Sequence, residues 1–305
     1  MTAMTPAPIQ PIQVSSSSGS AHALADFLDR HPRLFVLTGA GCSTDSGIPD
    51  YRDVAGEWKR RQPITFQDFV AHEYSRKRYW ARSLAGFRRI HAARPNDAHY
   101  ALADLEQRGC IALLVTQNVD GLHQAAGSEA VIDLHGRIDT VRCLGCNRRS
   151  ARDRLQLDLE RRNPAFAELE AVEAPDGDAD LEHGAFDTFD VPACETCGGL
   201  LKPDVVFFGE GVPTARVERA MAALAAADAM LVVGSSLMVY SGYRFVRAMA
   251  DAGKPIAAIN LGRTRADDLL TLKITDRCTD ALSVVQRRGG TPRSSGARWK
   301  PVMRV

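Results

Sequence analysis

Six short runs of apolar and β-branched residues, Leu34 to Thr38, Ile111 to Thr116, Val131 to Leu134, Val205 to Phe208, Met230 to Val233 and Ile256 to Asn260, alternate with stretches of helical periodicity. Runs this short and this apolar need cover on both faces, so the alternation predicts βαβ units and an α/β fold, a Rossmann-like parallel sheet with helices on both faces. The intervening helices carry their own signals. Asn96 can cap a segment whose Ala98, Leu102 and Leu105 share a face and which stops at Gly109, and Thr214 to Ala227 is rich in alanine. Two stretches break the rhythm, at about residues 55–92 and 137–202, and are the candidates for a smaller lobe inserted into the sheet domain. The expected division is a flexible leader over 1–20, a main domain over 21–286 and a flexible tail over 287–305, since both ends are rich in breakers.

Composition narrows the function classes. With 38 basic against 37 acidic residues and a net charge of +1, the chain has no electrostatic footprint for a polyanion, which argues against nucleic acid as main partner. No apolar run approaches the roughly 20 residues that cross a bilayer, and the opening stretch lacks a charged region followed by an apolar core. The expectation is a cytoplasmic protein without a membrane partner; the sequence leaves the oligomeric state open, a monomer being compatible with it.

Four of the seven cysteines form two Cys-x-x-Cys pairs, Cys143 with Cys146 and Cys194 with Cys197. Each pair offers two thiolates across a tight turn, eased by Gly145 and by Gly198-Gly199, as a tetrahedral Zn²⁺ requires. Four protein ligands leave no position for water, so the pattern predicts one structural zinc, not a catalytic one. A redox pair is the alternative, and it needs a helix start that nothing nearby supplies. Residues 147–193 separate the knuckles, so a folded or disordered excursion must bring them together; its PDGDAD stretch reads as exposed loop.

The first strand run enters Gly39-Ala40-Gly41-Cys42-Ser43, a turn whose backbone N–H groups could approach a pyrophosphate. A plain tight turn is the competing reading. The third glycine of a dinucleotide fingerprint is replaced by Thr44, which disfavours an ordinary hydride-transferring dehydrogenase. Asn118 and Asp120 could close a strand as an Asx turn, yet a buried strand has no need of Gln117, Asn118 and Asp120 together. His135 follows an apolar run and precedes a glycine, which would bring its imidazole out at the sheet edge, whereas His123 reads as a local cap or packing residue.

Further motifs follow in order: Gly47-Ile48-Pro49-Asp50-Tyr51-Arg52, Thr116-Gln117-Asn118-Val119-Asp120, Leu134-His135-Gly136, Lys202-Pro203-Asp204-Val205-Val206-Phe207-Phe208-Gly209-Glu210, Gly234-Ser235-Ser236-Leu237 and Asn260-Leu261-Gly262. In this order, around a four-cysteine knuckle, they resemble the sirtuins over roughly residues 21–285. Within that family the chain looks most like the class II branch typified by mitochondrial sirtuin four, through GIPDYR, RYWAR, KPDVVFFGE and GSSLMVYSGYRF.

The resemblance implies an NAD-dependent protein-lysine deacylase with NAD as cosubstrate, acylated-lysine proteins as partners and structural Zn²⁺ on Cys143, Cys146, Cys194 and Cys197. The acyl oxygen would attack the nicotinamide ribose as nicotinamide leaves, and His135 would act as general base on a ribose hydroxyl, leading to O-acyl-ADP-ribose. Asn118 would position the ribose and a water. Asp120, with the backbone near Val119, would hold the nicotinamide carboxamide, walled by Ile48 and Tyr51. Gly39, Ala40, Gly41, Ser43, Asp50, Arg52, Gln117, Gly234, Ser235 and Ser236 would line the phosphates and riboses, and Asn260 with Cys278 the adenosine end. Val206, Phe207, Phe208, Gly209 and Glu210, facing Met238 to Ser241 with Val239, would take the peptide as an added strand.

Tyr79-Trp80-Ala81-Arg82 mimics the Tyr-x-x-Arg pair of a branch that removes acidic acyl groups. Counted from Ser75-Arg76, however, that pair falls about two residues later, at Ala81 and Leu84, which argues against desuccinylation. ADP-ribose transfer to a protein side chain from the same site, and an NAD-sensing module without turnover, are the alternatives.

Overall fold

The computed structural model describes residues 12–14, 17–59, 63–168, 172–173, 179–180 and 186–288. Strands β1 (Ile12–Val14), β2 (Leu34–Thr38), β3 (Ile111–Thr116) and β4 (Val131–Asp133) precede β5 (Gly136–Cys143), β6 (Arg149–Ala151), β7 (Val172–Glu173), β8 (Ala179–Asp180) and β9 (Leu201–Val205). Strands β10 (Ala229–Val233), β11 (Ile256–Ile259) and β12 (Leu272–Ile274) complete the chain order. Seven of them form one parallel sheet in the order β1-β12-β11-β10-β2-β3-β4.

Alternation along the strands decides which helices cover which face. Leu34 and Val36 of β2, with Leu231 of β10, pack with the helices Ser17–Arg30, Asp97–Gln107 and Cys278–Arg288. Phe35 and Leu37, with Met230 and Val232, pack on the other side against Thr214–Ala226 and Tyr240–Asp251. Every residue of β2, β10 and β11 is buried, as double cover requires. Asn96 does cap its helix, accepting from the N–H groups of Ala98 and His99.

A third cluster forms the smaller lobe, where Trp80, Leu84 and Phe87 of the helix Glu73–Ala92 meet Leu155 and Leu159 of Arg152–Arg162. The lobe's sheet is antiparallel, in the order β6-β5-β9. This corrects one expectation: the run Val205 to Phe208 is not a strand of the parallel sheet. Its first residue ends β9, and Phe208 instead bridges Thr65. The partner decides the assignment, because β9 follows the knuckle at Cys194–Cys197 and is paired to β5, which ends at Cys143.

The leader needs a second correction. Ile12–Val14 pairs with Leu272–Ile274 at the sheet edge, and a helix begins at Ser17, so part of 1–20 belongs to the fold. Residues 1–11 and 289–305, where flexible ends were expected, lie outside the described residues, as does most of the PDGDAD stretch; its last two residues pair with Val172–Glu173.

Candidate active site

The winding of the large sheet reverses between β2 and β10, with β3 and β4 added on one side and β11 and β12 on the other. Ligands collect beyond the carboxyl ends of strands at such a reversal. Both strands end in glycine turns that lie against each other. The Gly39 N–H donates to Val233 O at 3.0 Å and the Gly41 N–H to Gly234 O at 2.8 Å. A Cβ on Gly41 would stand 3.0 Å from Gly234 Cα, and one on Gly234, whose φ is 63°, would collide with Cys42 N. Only glycine fits a seam of backbone on backbone, which answers why this turn carries Gly-x-Gly.

Over the seam opens a cleft of about 860 Å³. Every residue that the sequence assigned to nucleotide or substrate lines it: the Gly39 turn, Asp50-Tyr51-Arg52, Gln117 to Asp120, His135, the 206–210 loop, Gly234 to Ser236, Val239, Asn260 and Cys278. These positions come from loops that follow seven different strands, β2, β3, β4, β9, β10, β11 and β12, so their convergence is a property of the fold and not of spacing.

His135 follows β4 and precedes Gly136, whose φ of 83° and contact with the Asp204 carbonyl exclude a side chain. Its Nδ1 lies 2.9 Å from Gln117 O and its Nε2 2.8 Å from Ser241 Oγ. A carbonyl only accepts, so Nδ1 carries the proton and the neutral ring presents a lone pair at Nε2. Burial is the main cause that pushes the imidazole pKa down to about 4; the Gln117 carbonyl opposes it, and the charges of Arg216 and Arg244 add to it. At neutral pH the ring is therefore an uncharged base with its basic nitrogen toward the cleft.

Beside it, the Asn118 amide donates to Gly39 O at 3.1 Å and Ser43 Oγ at 3.0 Å, and the Ser43 hydroxyl donates to Asp120 Oδ2 at 2.7 Å. Asp120 Oδ1 accepts from the Leu122 N–H. Burial raises the Asp120 carboxyl above its ordinary value, against these hydrogen bonds. Below this layer His123 is fully buried with Nε2 2.8 Å from Thr38 Oγ1, the local packing role expected of it. At the cleft's other wall the Arg52 guanidinium sits 4.0 Å from the Trp58 ring centroid and donates to Gly56 O.

The 206–210 loop is held from beneath. The Lys202 ammonium, 1% exposed, pairs with Glu210 Oε2 at 3.0 Å, and the same oxygen accepts from the Phe207 N–H at 2.9 Å. Burial lowers the Lys202 pKa, with Glu210 opposing. The Glu210 carboxylate thus points into the loop's own base. Glu210→Gln is expected to cost about 1–3 kcal/mol, because it removes the charged partner of a buried ammonium and leaves it only the Pro203 and Val205 carbonyls and a neutral amide; urea unfolding of the two proteins measures it.

The four cysteine sulfurs lie within 4.8 Å of one another, with Cys143 and Cys197 at 3.4 Å and Cys146 and Cys194 at 3.8 Å. A tetrahedral ion at about 2.3 Å from each thiolate sets sulfurs about 3.8 Å apart, so the group fits zinc. The Gly145 and Cys146 N–H groups point at Cys143 Sγ, and a Cβ on Gly199 would stand 3.0 Å from it. None of the four cysteines lines the cleft, in keeping with a structural site.

Sequence reasoning missed Trp58, Ser241 as a partner of His135, Arg244 and Arg277 among the lining residues. Trp58 carried a signal, an aromatic beside the matched GIPDYR motif; the others become visible only through contacts distant in sequence.

Burial of neutral histidines makes the fold sensitive to acid. The pKa values of His99 and His135 are lowered to about 4 from 6.5. Between those values the unfolded chain binds protons that the native state refuses, so stability falls as pH drops from about 6.5 toward 4 and is flat for these groups above. Urea midpoints across that range test the expectation.

Residues 39–241 match the model described as the Sir2 family. The chain is 65% identical over 277 residues, 91% of its length and 94% of the relative's, to an NAD-dependent protein deacetylase of Xanthomonas campestris pv. campestris. It is 62% identical over 270 residues, 88% of its length and 99% of the relative's, to NAD-dependent protein deacetylase 2 of Bradyrhizobium diazoefficiens. Among solved structures, a Sir2 with p53 peptide and NAD⁺ is similar at TM-score 0.71 and 31% identity, covering 88% of this chain and 98% of that one. Another holds deacetylated p53 peptide and 3'-O-acetyl-ADP-ribose, at TM-score 0.70 and 30% identity over 89% and 99% of the chains.

Proposed function

The chain belongs to the Sir2 family, and from that membership we propose that it is an NAD-dependent protein-lysine deacylase releasing nicotinamide and O-acyl-ADP-ribose. The single observation that carries the reading is His135, a neutral imidazole with its unprotonated nitrogen facing the cleft in which all the sirtuin-like motifs converge. NAD supplies the ADP-ribosyl acceptor when its glycosidic bond opens.

The protein's own residues do the rest. The Gly39 turn, Arg52 and Ser235 take the phosphates and riboses, and Asn260 with the start of the Cys278–Arg288 helix borders the adenosine end. Asp120 and the Val119 backbone hold the carboxamide. Asn118, anchored on Gly39 and Ser43, fixes the ribose side of that pocket. His135 Nε2 accepts the proton of a ribose hydroxyl. The acyl peptide enters as a strand between Val206 to Gly209 and Met238 to Ser241, held by backbone hydrogen bonds, which leaves sequence selectivity loose.

Glu210 belongs to this loop as its anchor. The finer placement we propose is the class II branch, on the strength of GIPDYR, RYWAR, KPDVVFFGE and GSSLMVYSGYRF, with 21–286 as the catalytic unit. No described helix is long and apolar enough to cross a membrane, which accords with a cytoplasmic site of action. Zinc-loaded protein given NAD and a panel of acyl-lysine peptides tests the function. Peptide-dependent nicotinamide release matched by O-acyl-ADP-ribose in mass spectra is expected. ADP-ribose on a protein acceptor would favour side-chain transfer instead, and no nicotinamide release with any peptide would overturn the reading.

A further inference from the structure

The base is gripped from two sides. Gln117 O takes the Nδ1 proton, so the contact at Nε2 must have Ser241 as donor, its hydroxyl lying 2.8 Å away. Ser241 stands in the first turn of the helix Tyr240–Asp251. What brings that turn so near is its neighbour: a Cβ on Gly242 would come within 2.6 Å of Gln117 Nε2 and displace that side chain, whereas glycine lets the helix start directly on it. That side chain is fixed in turn, its Oε1 accepting from Ser235 Oγ at 2.7 Å. The Ser241-Gly242 pair and Gln117 thus form one clamp around the imidazole, the serine supplying the hydroxyl and the glycine the closeness.

We propose that Ser241 is a positioning residue for the base, whose hydroxyl holds Nε2 aimed into the cleft in the resting enzyme and gives up the lone pair when the ribose hydroxyl is seated. The proposal rests on the deacylase reading. On transfer, the ribose hydroxyl proton passes to Nε2 while Nδ1–H stays on Gln117 O, and the Ser241 oxygen, now an acceptor, takes the new N–H. Because the peptide pairs with the backbone of Met238 to Ser241 and not with the serine hydroxyl, loss of that hydroxyl affects the step that needs the base and spares peptide binding and the earlier opening of the glycosidic bond.

Ser241→Ala, with Ser241→Thr as the variant that keeps the hydroxyl, separates those steps. Steady-state deacylation reports the base, and exchange of labelled nicotinamide into NAD in the presence of acyl peptide reports the earlier step. Ser241→Ala is expected to lower kcat for deacylation about tenfold, as small misplacements of a catalytic group do, with exchange kept within about twofold and Ser241→Thr restoring the rate. An equal loss in both assays, or no loss in either, overturns the proposal. Nitrogen NMR of histidine-labelled wild-type protein gives an independent check: Nδ1 protonated with a hydrogen-bonded, bare Nε2 is expected, and a ring protonated at Nε2 alone refutes the clamp. A wild-type enzyme without deacylation on any peptide would instead refute the function, and the NMR result would still decide the contact.

Discussion

His135→Ala should lower deacylation by about 10²- to 10⁴-fold, the range a positioned general base contributes, while exchange of labelled nicotinamide continues. The expectation follows from where the ring stands. It emerges after β4 at the cleft wall, with Nδ1 satisfied by Gln117 O and Nε2 met by the Ser241 hydroxyl, which is no base at neutral pH. The truncation leaves Gln117 O and Ser241 Oγ facing the cleft, where water can reach them, so zinc content and cooperative unfolding should persist. A second signature distinguishes loss of the base from general damage. An imidazole held down to about 4 against 6.5 costs the native state stability as pH falls through that window, and its removal should make the variant less acid-sensitive than the parent. Undiminished deacylation, or loss of both reactions together, would count against the assigned role.

Removal of zinc is expected to abolish activity although the metal site contributes no group to the cleft. In small zinc domains the metal contributes on the order of 10 kcal/mol to folding, and here the four sulfurs join the two ends of residues 147–193 beside the β5–β9 pairing. The strands that lead away from the knuckle carry the damage to the site. β5 runs from Cys143 back to Gly136, next to the base, and β9 runs from Leu201 into the 206–210 loop, with Gly136 paired to Val205. When the knuckle opens, both the base and the peptide loop lose their support. Titration with a chelator should show activity falling in proportion to bound zinc, with the helical signal of the large sheet domain largely kept; Cys146→Ser should behave as a partly depleted protein. Full activity in metal-free protein would refute the structural reading.

The parts of the fold that could be read from the chain are those in which one segment determines its own state. β2, β3, β10 and β11 are continuous apolar runs, and their double burial follows from composition alone. β12 is three residues long and contains Lys273, and β1 sits in a Pro/Ser-rich stretch; both are strands because a neighbour offers its edge, which no local pattern records. The run from Val205 was misplaced for the same reason, since its partner β5 was hidden in the interval read as an insertion. At the site, motif order located the lining residues. It did not reveal that Glu210 faces inward to Lys202, or that Ser241 meets His135 across 106 positions. Such contacts depend on where helices and loops stop, and single glycines such as Gly242 set those stops.

The seam between the Gly39 and Gly234 turns has a bearing on redesign. Because main chain touches main chain there, no side chain can be introduced at Gly39, Gly41 or Gly234 to retune which cosubstrate the cradle accepts. Any engineered preference, for a phosphorylated or shortened analogue, has to be written at the rim, where Asn260, Arg277 and the Arg52–Trp58 pair offer replaceable side chains.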